Sequence, residues 1–234
     1  MELQAIKTSR LYVQVAEQLS KLVSDGTIKA GERLPSERDL AEKLNVSRPT
    51  IREAMIALEL SGIIEIRTGA GIFVTQKKPR LTIDDKGIGP FEILEIRHIL
   101  EAEACALAAK KITKQQISEL KKAIIEMEEE ELRPDSSEKA DWKFHNIIAA
   151  ATQNSAISTV VNWLWELRSQ SDLSAAFAAR LRERGVHPSI KDHKDIVAAL
   201  ENGNPTEARA AMKRHIKNAT QDAATYFNSN EAKK

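Results

Sequence analysis

The stretch from Leu34 to Ile64, LPSERDLAEKLNVSRPTIREAMIALELSGII, reads as two short helices joined by a tight connection, with a strand entered at its end. Ser36 offers an N-cap oxygen, and Asp39 three residues on puts an acid in the first turn, a variant of the capping box. Leu40, Ala41 and Leu44 follow at helical spacing. Asn45-Val46 breaks the pattern, and Ser47 caps a second helix. That helix tolerates Pro49 because first-turn N–H groups have no intrahelical partner to lose. Ile51, Ala54, Met55 and Leu58 form its inward face, which leaves Arg48, Thr50 and Arg52 near the exposed N-terminal end.

A helix end of this composition suits a nucleic-acid duplex. Arginine reaches phosphates or the O6/N7 edge of guanine, hydroxyls bond phosphate or base, and the helix dipole favours anions. Recognition helices meet base edges with their N-terminal residues. The plain alternative is a surface helix with solvated arginines. Against it, the basic residues gather where the dipole alone prefers acids. Residues 63–67 (IIEIR) and 72–75 (IFVT) are β-rich runs flanking Thr68-Gly69-Ala70-Gly71, the pattern of a hairpin. Helix, helix and hairpin together predict a winged helix-turn-helix.

Gly31-x-x-Leu34-Pro35-Ser36-Glu37-Arg38-x-Leu40-Ala41, then Val46-Ser47-Arg48-x-Thr50-x-Arg52-Glu53-Ala54, Leu58, Gly62 and Gly69-x-Gly71-x-Phe73-Val74, closely resembles the DNA-binding domain of GntR-family bacterial transcription regulators. The resemblance implies that Arg38, Arg48 and Arg52 contact double-stranded operator DNA and that Ser47 and Thr50 assist at the backbone. It also implies that the wing tip at Gly69 enters the minor groove. Pro49 stands where many relatives carry a small or hydroxylated residue, so this position is expected to set operator preference.

Composition bounds the rest. The 234 residues suffice for one large or two modest domains, and 42% hydrophobic with 29% charged residues is ordinary for a folded protein. The net charge of +1 offers no general argument for nucleic acid, so placement of the arginines carries that case. The single cysteine, Cys105, excludes an internal disulfide, fits a reducing cytosol and lies among alanines as a core residue would. There is no signal-peptide apolar region and no run of about 18 apolar residues, so a cytoplasmic protein with no membrane partner is expected.

Residues 11–23 predict an amphipathic helix through Leu11, Val15, Leu19, Leu22 and Val23, and residues 27–31 a short strand and turn. The polar, proline-broken and glycine-containing stretch 79–89 is read as a linker between a DNA-binding domain at 1–78 and a second domain at 90–230. That second domain reads as six or seven helices with short connections, an all-α antiparallel bundle, so the chain as a whole is mainly α. Its helices are placed at 91–111, 113–133, from Ser136 or Ser137 to 151, from Asn154 onward, 171–184, 187–201 and 206–227.

Four residues carry the bundle's chemistry. Asp141 and His145 are i and i+4 on one helix face, while His193 and His215 fall on the apolar faces of two other helices. Each histidine alone is more often a satisfied core residue than a ligand. Together the four suit a divalent metal, zinc foremost with nickel or manganese as alternatives, with coordination positions to spare. Glu95-x-Arg97-x-x-Leu100-Glu101, Asp141-x-x-x-His145, Asn154, His193 and His215 look like the ligand-binding FCD domain of the FadR-like branch of the same family. That resemblance implies that the aspartate and three histidines hold the metal and that Arg97 contacts a small carboxylate effector, an organic or sugar acid. An intrahelical pair with Glu101 is the equal alternative for Arg97. Acyl-CoA-binding relatives lack the quartet, which argues against a fatty-acyl effector.

The expected protein is a homodimeric regulator whose operator affinity answers to the effector. It is not expected to be an enzyme. There is no nucleophile motif, no glycine-rich phosphate loop after a strand, and no general base beside the quartet other than surface-type glutamates.

Overall fold

A computed structural model of the chain describes residues 10–67, 69–76, 87–133 and 138–227. They fall into two compact units: the described parts of residues 1–92 with 171–173 and 224–227, and residues 93–170 with 174–223.

In the first unit, α1 (Leu11–Ser24) is amphipathic as expected, but its buried face is Tyr12, Val13, Val15, Ala16 and Leu19. Leu11, expected inside, is half exposed. The residues 12, 15, 16 and 19 satisfy the same helical period, and the larger aromatic takes the core. α2 (Glu37–Leu44) starts where Ser36 Oγ accepts from the Asp39 N–H at 3.2 Å, and ends on Asn45 in the left-handed conformation. α3 (Arg48–Leu60) is capped by Ser47, which accepts from the Thr50 N–H at 3.2 Å. Its inward residues Ile51, Ala54, Met55 and Leu58 are all buried, with α1 and α2 packed on them. Fully burying side chains of this kind contributes about 1.5–3 kcal/mol each for the larger ones.

β1 (Ile64–Arg67) and β2 (Gly71–Val74) pair antiparallel, Ile64 opposite Val74 and Ile66 opposite Ile72. The strand expected at residues 27–31 is a run of bends and turns, tied by the Asp25 carboxylate to the N–H and hydroxyl of Thr27. The hairpin's third partner is Arg33, bridged to Phe73, with the Leu34 N–H on the Ile72 carbonyl at 2.8 Å. Most of the stretch read as a linker lies outside the described residues. At its end Gly89 sits so close to Glu53 that a Cβ there would meet the carboxyl carbon at 1.9 Å, so only glycine fits.

The second unit is all helix. α4 (Pro90–Ala108) enters it from its first turn, and α5 (Lys114–Glu131) opens on a full capping box of Thr113 and Gln116. α6 (Lys139–Ala151) follows. The serines expected to cap it lie outside the described residues, and the residue before it, Glu138, is left-handed at φ 54°. α7 (Ser155–Gln170) is capped by Asn154, which accepts from the Ala156 and Ile157 N–H groups. α8 (Asp172–Glu183), α9 (Ile190–Glu201, capped by Ser189) and α10 (Pro205–Thr225) complete the bundle. Leu120, Phe144, Ile148, Ile196, Met212 and Ile216 meet in its core around Cys105. Burial, with the Glu101 charge added, pushes the Cys105 thiol up to about 12, which makes it inert.

Candidate metal centre and nucleic-acid interface

The bundle brings Asp141, His145, His193 and His215 together from α6, α9 and α10. One donor atom of each lies within 4.8 Å of the others, and all four side chains are buried. The helical register explains the convergence. Asp141 and His145 share a line of α6 with Ile148, His193 lies on the Ile196 face of α9, and His215 adjoins Met212 and Ile216 on α10.

The outer nitrogens define the tautomers. His193 Nδ1 lies 2.8 Å from the Ser189 carbonyl oxygen, which only accepts, so Nδ1 carries the proton. Its Nε2 nevertheless stands 2.9 Å from Asp141 Oδ1. A bare nitrogen and a carboxylate oxygen repel at that distance unless a proton or a cation lies with them. His145 repeats the pattern: Nδ1 contacts Glu101 Oε2, while Nε2 faces Asp141 Oδ1 at 3.4 Å and an Arg97 Nη2 donor at 3.5 Å. A ligating histidine that gives its other N–H to a carboxylate or a backbone carbonyl is the usual arrangement around a bound ion. His215 Nδ1 is buried with no hydrogen-bond partner among the described residues, and the nearest carboxylate, Asp192, is 3.9 Å away.

The electrostatics suit a cation. Burial would raise the Asp141 carboxyl, but hydrogen bonds and charge from His145 and His193 hold it well below the usual range. Burial, and then the neighbouring His193 and His145, keep His215 neutral far below the ordinary imidazole value, with its lone pair available. For His145 burial works in the same direction, but the Glu101 charge outweighs it and raises the imidazole. Three imidazoles and a carboxylate fit zinc, nickel or manganese in donor type. The orphaned His215 nitrogen and the Nε2–carboxylate approach are the features such an ion would resolve.

Arg97 is buried, and its Nε donates to Glu101 at 2.6 Å, so the intrahelical pair forms while the guanidinium still reaches the quartet through His145. Burial would raise Glu101, but Arg97 and His145 overcome that and bring it to about 2. The expectation that only surface-type glutamates adjoin the quartet is therefore wrong at Glu101. Its position in line with the small buried stripe Ala102, Cys105 and Ala108 was the available signal. Trp165 was also missed: its ring lies 5.2 Å from that of His145 and 4.1 Å from the Arg97 guanidinium.

At the other candidate site, Arg38, Ser47 and Arg48 are exposed, Pro49 is half-buried, and Gly69 forms the hairpin tip at φ 78°. Thr50 is buried with its hydroxyl 2.8 Å from that of Ser47, leaving Ser47 as the member of that pair that faces solvent. Arg48 and Arg52 share Glu37 of α2, one on each carboxylate oxygen, at 2.5 and 2.8 Å. Their exposures differ, 56% for Arg48 and 11% for Arg52, whose guanidinium also covers Phe91 at 4.8 Å. Among the described residues no helix is long and apolar enough to cross a membrane.

Comparison with known proteins matches residues 11–74 to the family model described as bacterial regulatory proteins, gntR family, and residues 92–218 to the FCD domain. The Uxu operon regulator of Haemophilus influenzae is 34% identical over 215 residues, covering 90% of this chain and 80% of the relative. The Exu regulon transcriptional regulator of Escherichia coli is 35% identical over 215 residues, with 89% and 83% covered. The Uxu operon transcriptional regulator of the same species is 34% identical over 234 residues, with 96% and 91% covered. With a helix-turn-helix and wing at one end and an FCD domain at the other, the chain belongs to the GntR family of bacterial transcription regulators.

Proposed function

We propose that this regulator binds operator DNA through residues 1–78 and that a small carboxylate, an organic or sugar acid, controls that binding from a divalent metal in the C-terminal bundle. Residues 79–89 join the two functions, and residues 90–230 bind the effector and dimerise. Asp141, His145, His193 and His215 would hold the ion, zinc foremost. A bound ion would supply a Lewis-acidic centre for a carboxylate oxygen. Arg97, fixed by Glu101, stands beside His145 as the cationic partner for the same anion. At the DNA end, Arg38 and Arg48 contact the duplex, and Arg52, largely covered, does so only through the edge it leaves exposed. Ser47 assists while the buried Thr50 hydroxyl positions that of Ser47, Pro49 tunes operator preference and the Gly69 tip reaches the minor groove. Binding to an operator gives the protein a cytoplasmic place of work.

The observation that carries the reading is the convergence of four buried donors, two of them histidines whose outer nitrogens are already fixed by Glu101 and Ser189. A homodimer accords with Ile96, Ile99 and Leu107, which lie exposed along one face of α4. Elemental analysis of the purified chain should find about one divalent ion per protomer, and His193→Ala should lose it. A His193→Ala protein that keeps a full complement of metal, or a metal-loaded protein whose operator affinity no acid alters, would refute the proposal. Light scattering reads the dimer directly.

A further inference from the structure

A cavity begins on the far side of Trp165, the ring that packs on His145, and neither Arg97 nor any of the four donors is among its lining residues. A space of about 410 Å³, within the range of small-molecule sites, is lined by Trp142, Trp165, Glu138, Glu166, Arg168 and Arg182, among others. Its chemistry is lopsided. Arg168 and Arg182 share one carboxylate, Glu138, at 2.5 and 3.4 Å, and each makes a single hydrogen bond among the described residues. Glu166 accepts from Asn162 at 2.6 Å. Two guanidiniums, ten N–H donors in all by their chemistry, thus make their hydrogen bonds to one carboxylate beside an open space, with Glu166 also on its wall and the Asp141 and Glu101 charges acting on Arg168.

Two further observations point at a ligand. Trp165 is nine-tenths buried, and its indole N–H has no hydrogen-bond partner among the described residues. Glu138, the residue the two arginines grip, is a non-glycine held in the left-handed region at φ 54° and ψ 31°. Such a conformation is costly and persists only where contacts over-determine it, which happens most at ligand sites. Trp165 joins the two places. Its ring is 5.2 Å from the His145 ring and 4.7 Å from the Arg168 guanidinium, so the quartet and the arginines lie one indole apart.

We propose that Arg168 and Arg182 form a second carboxylate subsite of the effector pocket, with Trp165 as the surface along which the carbon chain lies, so that the effector is a dicarboxylic acid. This rests on the metal-centred reading above. One carboxylate goes to the metal and Arg97. The other takes a bidentate place on Arg168 and Arg182 and competes there with Glu138, which gives the ligand a direct purchase on the residue preceding α6.

The test compares galactarate with galactonate, which differ only in whether the far end is a carboxylate or a hydroxymethyl group. They are titrated calorimetrically into the zinc-loaded full-length chain. Galactarate should bind about tenfold or more tightly than galactonate, the size of one or two charge-assisted hydrogen bonds. Arg168→Gln should bring galactarate down to the galactonate level and leave galactonate and the zinc content within about twofold. If Arg168→Gln does not fold, by circular dichroism, Arg182→Gln carries the same expectation. Equal binding of the two acids, or a preference for galactarate that survives both substitutions, overturns the subsite. Acid binding that disappears in His193→Ala would in that case leave the metal-centred reading standing. Failure of galactarate to bind the zinc-loaded protein overturns the subsite, and the metal-centred reading falls with it only where no acid alters operator affinity.

Discussion

Glu101 shows how much one side chain decides. It is buried against Arg97 at 2.6 Å and against His145 Nδ1, and it holds the histidine tautomer that turns Nε2 toward Asp141. Glu101→Gln keeps the shape but removes the charge, leaving a buried guanidinium without its counter-ion. Breaking a buried pair from one side costs about 3–5 kcal/mol, far more than such a pair contributes relative to an apolar replacement. Loss of an outer-shell carboxylate also weakens metal binding by about 10–100-fold. We expect Glu101→Gln to lower the melting temperature by several degrees and to raise the zinc dissociation constant within that range, read by competition with a fluorescent chelator. Glu103, two residues on, pairs with Arg209 at 2.7 Å on the exposed side of the same helix. Glu103→Gln should leave both measurements unchanged, because solvent screens that pair.

At the scale of elements, α2 and α3 pre-arrange the arginine-bearing tip proposed to meet DNA. Glu37 in the first turn of α2 takes Arg48 and Arg52 of α3 on its two oxygens, which neutralises part of the tip and limits the rotamers of both arginines. Glu37→Gln should add one unit of positive charge and free both side chains. The expected result is tighter binding to non-operator DNA at low salt, a steeper salt dependence, and a smaller ratio of operator to non-operator affinity, measured by fluorescence anisotropy at two ionic strengths. Unchanged ratios would show that the clasp has no part in recognition. These two helices were legible in the sequence because what makes them is local: Ser36, Asn45 and Ser47 cap and break the chain within one turn of themselves. The Asp141, His145, His193 and His215 cluster was legible for a related reason, since helical periodicity alone put each residue on a buried face. What escaped depended on partners far along the chain. The strand expected at residues 27–31 failed because the hairpin recruits Arg33 through Phe73. The near-burial of Arg52 needs Glu37 and Phe91, and the burial of Glu101 needs a histidine forty-four residues away.

At the scale of the whole molecule, the question is how a change at the quartet could reach α3. Two helices offer continuous chain for it. α4 carries Arg97 and Glu101, and the amide of its Glu92, within the first unit, donates to Glu53 of α3 at 3.2 Å. α10 carries His215, and just beyond its end, again in the first unit, the Tyr226 hydroxyl donates to Glu59 of α3 at 2.7 Å. Couplings between sites are typically about 1–3 kcal/mol. A hydrogen bond to a charged group is worth about 1.5–3 kcal/mol, so one such contact is large enough to carry the signal. Tyr226→Phe removes the hydroxyl that makes that bond and keeps the ring. It should leave zinc content unchanged and operator affinity without acid within about twofold, because Glu59 lies at the end of α3 opposite its arginines. The change in operator affinity caused by the proposed effector acid should shrink several-fold, and by reciprocity the effect of operator DNA on acid affinity should shrink by the same factor. Measuring both directions separates a coupling contact from a structural one. A Tyr226→Phe protein that is merely less stable would weaken each binding event yet keep the ratio between them.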